Sequence, residues 1–368
     1  MKKVLYLGGF ELPDKNAAAQ RVMSNAKLLR EIGFEVSFIG ISKDIERAPR
    51  IVDGFVSNPV TYPANPKEWG HQILTFVERK RILEYHPEYV VLYNFPAIAS
   101  LRVLNVCHKH GIKVIHDLTE WESNSGWSPV DIIRKIDINL RMRYCMKKMD
   151  GVIAISRFLY EYYKAYTEVI LVPPTVDLTA KKWNRNRKLC SGDQIRLIYA
   201  GNAGFGAKDR LDIIVKTVAN YPKIKLDIVG MTEADYLKGY GDLPLLCNNI
   251  TFHGRVSHID AVTAVQNSDF QLLIRESNLK NNAGFPTKFV ESMTCCTPII
   301  ATLTSNIGDY LINGVNGFIV DDNHTLDNIL KHISRLSSNE MVKMKTACKN
   351  ITIFDYRSYK TTFECLFK

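Results

Sequence analysis

Short apolar runs alternate with helical patterns from the first residues of the chain. Residues 4–7 are apolar and end in Gly8 and Gly9, and residues 17–32 place apolar side chains at helical spacing. Gly33 is expected to end that helix, because glycine readily adopts the left-handed conformation that follows a helix C-terminus. Residues 36–40 form the next apolar run. This order predicts a β-α-β unit with two parallel strands.

The same alternation continues to residue 172 and restarts near residue 195. Nine further runs are interpreted as strands: 89–93, 113–117, 152–156, 169–172, 195–201, 225–230, 270–274, 298–301 and 317–320. Strands that alternate with helices are typical of doubly wound parallel sheets, and 368 residues are more than one hydrophobic core usually supports.

We therefore predict an α/β protein with two Rossmann-like, doubly wound domains that face each other across a cleft. The first domain is expected at residues 1–172 and the second at 173–352. A C-terminal helix at about 353–368 is expected to pack back onto the first domain. Ligands of such sheets bind at the carboxyl ends of the strands, which places the site in the cleft.

The charge balance favours anionic partners. Forty-eight Lys and Arg residues against 38 Asp and Glu residues give a net charge of +10. Nucleic acid, an acidic lipid surface or phosphorylated small molecules would suit such a chain. No segment resembles a nucleic-acid-binding motif, so nucleic acid is not an expected partner. The basic residues gather in 134–148 and 181–188, which are equally consistent with solvated surfaces.

Cysteine spacing and apolar run lengths indicate a cytoplasmic protein. The eight cysteines are dispersed and form no C-x-x-C pair, which disfavours a zinc site. The apolar run at residues 4–7 is too short for a signal peptide, and no run reaches the length of a membrane span. Membrane contact is therefore expected to be peripheral, on the inner face, if it occurs.

Residues 199–210 form a glycine-rich turn between a strand and a helix that is expected to start near Asp209. Gly201, Gly204 and Gly206 would let backbone N–H groups approach an anion, and Lys208 would add a full charge. The segment matches neither a Walker A loop nor a dinucleotide fingerprint. A βα turn without a ligand is the alternative.

A second segment, residues 284–293, predicts a helix that starts near Thr287. Lys288 and Glu291 lie one turn apart on it. A carboxylate there suits a vicinal diol, because its oxygens accept two hydroxyl protons. The alternative is an ion pair between Lys288 and Glu291 on the helix surface.

Together these segments resemble the GT-B glycosyltransferases, in particular the retaining family 4 group. The resemblance covers essentially the whole chain. The segments that carry it, in order, are 8–9 with 17–22, 33–36, 150–156, 172–177, 201–208, 252–256, 286–291 and 313–318.

The resemblance implies a nucleotide-sugar donor, UDP- or GDP-linked, with no cofactor and no metal, and retention of the anomeric configuration. Lys208 would neutralise the donor diphosphate and His116 would contact the sugar, as catalytic residues. Glu291 would hold the ribose diol. The residues implied in donor binding are Gly8, Gly9, Gly201, Asn202, Gly204, Lys208, Gly254, Arg255, Lys288 and Glu291. For His116, a core histidine is the alternative.

The chain departs from the family pattern at Ala283, where a glutamate often precedes the ribose-binding glutamate by eight positions. This departure affects sugar recognition more than nucleotide binding. An acidic, aromatic loop after His116 is the candidate acceptor site, with Asp117, Glu120 and Trp121. An ordinary exposed loop is the alternative.

The resulting interpretation is a glycosyltransferase that moves a sugar to a saccharide or lipid-linked acceptor in surface-polysaccharide or cell-envelope synthesis. The alternatives are a sugar-nucleotide hydrolase or epimerase, or a non-catalytic nucleotide-sugar-binding protein. Residues 131–148 predict a basic amphipathic helix in the acceptor half. Such a helix would bind an anionic membrane surface through Arg141, Arg143, Lys147 and Lys148.

Overall fold

The computed structural model describes residues 1–13, 17–122, 126–183, 194–201, 208–245 and 247–368. The chain divides into two compact units. Unit 1 comprises Met1–Asp177, Ala283–Phe285 and Asp355–Lys368, and unit 2 comprises Leu178–Asn282 and Pro286–Phe354.

Unit 1 is built on a mostly parallel sheet with helices in the crossovers. Its strands are β1 (Lys2–Gly8), β2 (Phe34–Ile39), β3 (Ile41–Ser42), β4 (Ile51–Val52), β5 (Phe55–Ser57), β6 (Val60–Thr61), β7 (Tyr89–Tyr93), β8 (Lys113–Leu118), β9 (Gly151–Ala154) and β10 (Val169–Leu171). Its first helices are α1 (Ala17–Glu31), α2 (Pro66–Leu74), α3 (Arg79–Leu83), α4 (Ala97–His108), α5 (Pro129–Arg143) and α6 (Arg157–Tyr163). A 3-10 helix, Cys145–Lys148, follows α5.

The main sheet of unit 1 has the order β10-β9-β8-β7-β1-β2-β5-β4, and β3 pairs separately with β6. All its pairs are parallel except β4 with β5. The chain order reverses between β1 and β7, so the crevice expected at a topological switch point lies at the carboxyl ends of these two strands.

Unit 2 contains a six-stranded parallel sheet. Its strands are β11 (Ile195–Ala200), β12 (Ile224–Val229), β13 (Ile250–Phe252), β14 (Phe270–Leu273), β15 (Ile299–Thr302) and β16 (Gly317–Val320). The helices of this part of the chain are α7 (Leu211–Val218), α8 (Glu233–Tyr240), α9 (His258–Gln266), α10 (Leu279–Ala283), α11 (Thr287–Thr294), α12 (Leu326–Ile333) and α13 (Ser338–Asn350). The strand order is β13-β12-β11-β14-β15-β16, so the switch point lies between β11 and β14.

Each unit has its own hydrophobic core, because strands buried on both faces are continuously apolar. In unit 1, β1 and β2 contribute Val4, Tyr6 and Phe38. The last helix, α14 (Lys360–Leu366), adds Phe363 and Leu366 to the same cluster. The core of unit 2 includes Leu197 and Tyr199 of β11 with Leu272 of β14.

The structure confirms the predicted α/β fold with two doubly wound parallel sheets. Residues 41–61 form four strands of two or three residues that the sequence did not predict, since runs this short show no alternation. The helix after the glycine-rich turn starts at Leu211 rather than near Asp209. Within the described ranges, no helix is both long and apolar enough to traverse a bilayer.

Candidate functional site

The glycine-rich turn of unit 2 follows β11 at the switch point of its sheet. Gly201 is the first residue after the strand, and Asn202, Gly204 and Gly206 lie outside the described residues. Lys208 is half-buried where the turn meets α7. The side-chain amide of Asn281 donates to the backbone carbonyl of Lys208 at 3.3 Å. The backbone of Lys208 is therefore anchored at the exit of the turn.

Asp209, the next residue, is buried and pairs with two cationic side chains. Arg275 Nε lies 2.5 Å from its Oδ1, Lys288 forms an ion pair with its Oδ2, and Tyr199 OH donates to Oδ2 at 2.6 Å. Burial opposes ionisation of Asp209, but Lys288 and Arg275 outweigh it and hold the pKa of this carboxyl well below its ordinary value. The carboxylate therefore stays charged and ties β11, β14 and α11 together.

Lys288 occupies the space beside Gly201. A Cβ at Gly201 would lie 2.1 Å from Lys288 Cε, so any larger residue at this position would displace the end of the Lys288 side chain. Lys288 Nζ donates to Tyr199 OH at 2.8 Å in addition to its pair with Asp209. The ion pair with Glu291 that the sequence left open does not form. Lys288 instead holds the base of the turn.

Glu291 extends from α11 toward α9. His258 Nε2 lies 3.5 Å from Glu291 Oε1, and the Glu291 side chain is 22% exposed. Of the residues that the structure describes, none donates to Oε2 of Glu291. The carboxylate therefore has capacity for further hydrogen bonds, as binding of a diol requires.

Gly254 and Arg255 lie between β13 and α9. Gly254 has a φ of +64°, and its N–H and C=O pair with Met231 O and Gly230 N at 3.0 and 2.7 Å. Arg255 is exposed. The backbone groups of Gly254, which was predicted to bind the donor, are therefore already paired within unit 2. Of these two residues, Arg255 is the exposed one.

In unit 1, Gly8 and Gly9 end the central strand β1. A Cβ at Gly8 would lie 2.6 Å from Tyr93 O, so this glycine permits close packing of β1 against the end of β7. Gly9 is exposed with no heavy atom within 4 Å of its Cβ position. Packing within unit 1 accounts for the glycine at position 8.

His116 is fully buried in β8. Its Nε2 accepts from the backbone N–H of Phe95 at 3.2 Å. Burial, with a contribution from Arg141, lowers the pKa of His116 to about 3, so the ring is neutral at physiological pH. A sugar cannot reach the buried ring in this conformation. The surroundings of His116 are those of a core histidine.

Asp117 and Trp121 do not present free side chains on an acceptor loop, contrary to the sequence-based expectation. Asp117 belongs to β8, is fully buried, and accepts hydrogen bonds from Arg21 Nε at 2.8 Å, Tyr6 OH at 2.5 Å and Asn25 Nδ2 at 3.0 Å. Trp121 is 5% exposed and packs edge-on against Phe158 and Tyr162. Of the three predicted residues only Glu120 is half-buried.

Two features of these sites were not predicted. The cluster joins Tyr199 and Asp209, both within the 199–210 segment, to the distant Arg275, and no local pattern marks this pairing. Arg141, predicted on the exposed basic face of a helix, is 7% exposed and donates from Nη1 to Asn94 O at 3.1 Å. Helical periodicity could have indicated this, since Arg141 lies three residues after the buried Ile138.

This chain is similar to one family model and to several known glycosyltransferases and related proteins. Residues 182–353 match the family described as glycosyl transferases group 1. An uncharacterized glycosyltransferase of Methanocaldococcus jannaschii is 22% identical over 311 residues, which are 74% of this chain and 85% of that protein. Sucrose-phosphate synthase from Thermosynechococcus elongatus superposes with a TM-score of 0.75 at 13% identity, covering 100% of this chain and 98% of that one. HepE of Anabaena in complex with UDP-glucose superposes with a TM-score of 0.65 at 15% identity. The match covers 100% of this chain and 99% of the HepE chain.

Proposed function

Since residues 182–353 form a glycosyl transferases group 1 domain on a GT-B fold, we propose that this chain moves a sugar from a nucleoside-diphosphate sugar to an acceptor. The donor is UDP- or GDP-linked. A sugar nucleotide is the substance bound in the structure of HepE, a protein of the same fold.

The observation that carries the proposal is the set of groups at the switch point of unit 2. Lys208 follows the turn after β11, and its backbone is held by Asn281. Glu291 on α11 has an oxygen available to a diol. A cation for a diphosphate and a carboxylate for a ribose are the two groups that a nucleotide-sugar donor needs most.

The chemistry places negative charge on the leaving diphosphate while positive charge develops on the sugar. A lysine ammonium and backbone N–H groups stabilise the leaving group if they are positioned before the reaction. The buried pairs of Asp209 with Lys288 and Arg275 provide this positioning. We propose that the reaction needs no metal and retains the anomeric configuration.

We also propose that the acceptor is a saccharide or a lipid-linked saccharide and that the enzyme works at an anionic membrane surface. Helix α5 supports this, because Trp127, Val130, Ile133 and Ile136 at its start and on its outer face are 83%, 65%, 56% and 62% exposed. Arg134 and Lys148 are exposed nearby in sequence. Surface-polysaccharide or envelope synthesis is the corresponding process.

The test is a screen of nucleotide sugars for thermal stabilisation, followed by product analysis with soluble and lipid-linked saccharides. Release of the nucleoside diphosphate together with a glycosylated acceptor is expected. Donor hydrolysis without an acceptor, a changed sugar still linked to the nucleotide, or binding without turnover would each replace the proposal by one of the alternatives. The anomeric configuration of the product and activity after chelation test retention and metal independence.

A second arm tests Glu291 alone. Glu291→Gln is expected to weaken binding of the nucleoside diphosphate about 10- to 100-fold, because charged hydrogen bonds contribute roughly 1.5–3 kcal/mol. Glu233→Gln, an exposed residue of α8, is the matched control. Calorimetry measures both, and an unchanged affinity of Glu291→Gln would remove this residue from the nucleotide site.

A further inference from the structure

Arg141 is a buried cation in the last turn of α5. Its side chain is 7% exposed. Nη1 donates to the backbone carbonyl of Asn94 at 3.1 Å, and Nε is buried without a hydrogen-bond partner. Nη2 is not fully buried, so it is the nitrogen of this guanidinium that reaches solvent. No described residue accepts a hydrogen bond from Nε or Nη2.

Nearby carboxylates do not compensate this charge. Asp137, one helical turn earlier, accepts from the backbone N–H of Ala97 at 2.8 Å and lies beyond ion-pair distance of Arg141. Arg21 of the same unit provides the contrast, since it is 4% exposed and pairs with Asp117 at 2.7 Å. A buried guanidinium without a counter-ion is costly, so its retention calls for an anion from outside the described chain.

The surroundings of Arg141 hold donors rather than acceptors. His116 Nε2 accepts from Phe95 N–H, and Arg141 Nη1 donates to Asn94 O, so both side chains bind the same peptide group. Because His116 is neutral and its Nε2 accepts, the proton resides on Nδ1. Nδ1 is also buried without a partner. Two unpartnered N–H groups therefore lie around one peptide.

This peptide lies at the switch point of unit 1. Asn94 directly follows β7 with a φ of +42°. Its side chain and Thr119 pair reciprocally, with Asn94 Nδ2 donating to Thr119 Oγ1 at 2.5 Å and Thr119 N–H donating to Asn94 Oδ1 at 3.1 Å. Both residues are half-buried. The loops after β7 and β8 are thus fixed where a ligand of this sheet is expected.

We propose that Arg141 binds an oxyanion group of the acceptor, a phosphate or a carboxylate, through Nη2, while Nη1 stays on Asn94 O. A guanidinium can do both at once, whereas a lysine has one nitrogen, which Asn94 O would occupy. The assignment to the acceptor rests on the proposed function, because Arg141 lies outside residues 182–353, which match the group 1 model. It narrows the acceptor to an anionic class, either a sugar phosphate or acid or a phosphate carried on a lipid.

Inorganic phosphate is the probe for the site itself. All proteins carry Lys208→Ala, so that the predicted diphosphate residue of unit 2 does not contribute. Arg141→Met is expected to weaken phosphate binding at least tenfold in calorimetry and to remove the phosphate-dependent shift of an arginine Nε–H signal in nitrogen-15 spectra. Arg50→Met, which removes an exposed arginine elsewhere in unit 1, is the control and is expected to bind phosphate as the parent does.

Arg141→Lys covers the case in which the methionine variant fails to fold. It keeps a donor for Asn94 O and is expected to retain the fold while losing most phosphate affinity. Equal phosphate binding by the parent and both Arg141 variants would overturn the proposal, and so would absence of binding by the parent. Neither result depends on turnover, so the site and the transferase function fail separately. Competition by a hexose phosphate and by a dispersed lipid phosphate then distinguishes the two sources.

Discussion

Lys208 and Asp209 are adjacent in sequence but differ in their surroundings. Asp209 is buried and paired with Lys288 and Arg275, whereas Lys208 is half-buried at the end of the turn. Arg275 and Lys288 already neutralise the Asp209 carboxylate. The charge of Lys208 is therefore not needed to balance Asp209.

Lys208→Ala is expected to reduce kcat about 30- to 1,000-fold. Loss of a charged contact to the leaving diphosphate costs roughly 2–4 kcal/mol in the transition state. The measurement is nucleoside diphosphate release with the donor found in the screen. Lys216→Ala removes an exposed lysine of α7 and is the control. Turnover of Lys208→Ala within a fewfold of the control would show that another group stabilises the diphosphate.

His116 links stability to pH. Its pKa is about 3 in the folded protein against an ordinary value of 6.5, chiefly because burial disfavours the charged ring. Above pH 6.5 the histidine is neutral in both states. Below that value the unfolded chain binds a proton that the folded chain does not, so stability falls as the pH drops toward 3.

His116→Gln is expected to flatten this pH dependence, since the glutamine amide can still accept from Phe95 N–H but does not titrate. The predicted difference in slope is about 1.4 kcal/mol per pH unit below pH 6.5. Urea unfolding at several pH values, with hydrogen exchange of the β7 and β8 amides as the local probe, measures it. Parallel pH profiles of the two proteins would mean that His116 titrates normally.

At the scale of the residue, the sequence predicted positions along the fold better than it predicted burial. Glu291 and Lys208 lie near a strand end or helix start that local patterns mark. Asp117 was misassigned because its partners, Arg21 and Tyr6, are 96 and 111 residues away. No local sequence pattern indicates such distant partners. The sequence therefore suggested that Asp117 is accessible, whereas it is buried.

Helix α5 has two apolar faces. Ile138 and Met142 are buried within unit 1, while Ile133 and Ile136 are 56% and 62% exposed. Lys135 Nζ lies 4.2 Å from the ring centre of Trp127, which is 83% exposed just before the helix. An exposed apolar stripe with adjacent cations is typical of helices that lie on anionic membranes.

The double substitution Ile133→Asn with Ile136→Asn is expected to reduce binding to phosphatidylglycerol vesicles more than tenfold. Burial of two partly exposed isoleucines contributes on the order of 2–3 kcal/mol. Co-sedimentation at low salt is the measurement, and high salt is expected to release the wild type because it screens the cations.

Ile259→Asn serves as the control, because Ile259 is 51% exposed on α9 of unit 2. Vesicles of phosphatidylcholine alone test the charge dependence. Wild-type protein that stays in the supernatant with phosphatidylglycerol at low salt would contradict membrane binding. At the scale of the element, the sequence predicted this helix correctly but placed Arg141 on its exposed face, although Arg141 lies three residues after the buried Ile138 and donates to Asn94 O in the folded unit.

For the whole molecule, the alternation of strands and helices was sufficient to predict the fold. Each β-α step is local, and right-handed crossovers leave few topologies. The four short strands between residues 41 and 61 were not predictable, because they pair with one another and with β2 and are too short to show a pattern of their own. The C-terminal segment of unit 1, Asp355–Lys368, comes from a distant part of the chain and completes the core of that unit.

Phe363→Ala is expected to destabilise unit 1 by roughly 3–5 kcal/mol, because Phe363 is fully buried in its core and the substitution leaves a cavity. Hydrogen exchange should accelerate in β1 and β2 and remain unchanged in β11 and β12. Glu364→Ala, at an exposed position of α14, is the control. Equal acceleration in both units would show that they unfold as one.

The membership of Asp355–Lys368 in unit 1 has a consequence for synthesis on the ribosome. Unit 2 is translated before these residues, which takes on the order of 10–35 s at typical elongation rates. During that interval the nascent unit 1 lacks Phe363, Leu366 and Phe367, and the apolar surface of α1, β2 and β10 that they cover faces solvent. The core of unit 1 therefore closes only after unit 2 has been synthesised.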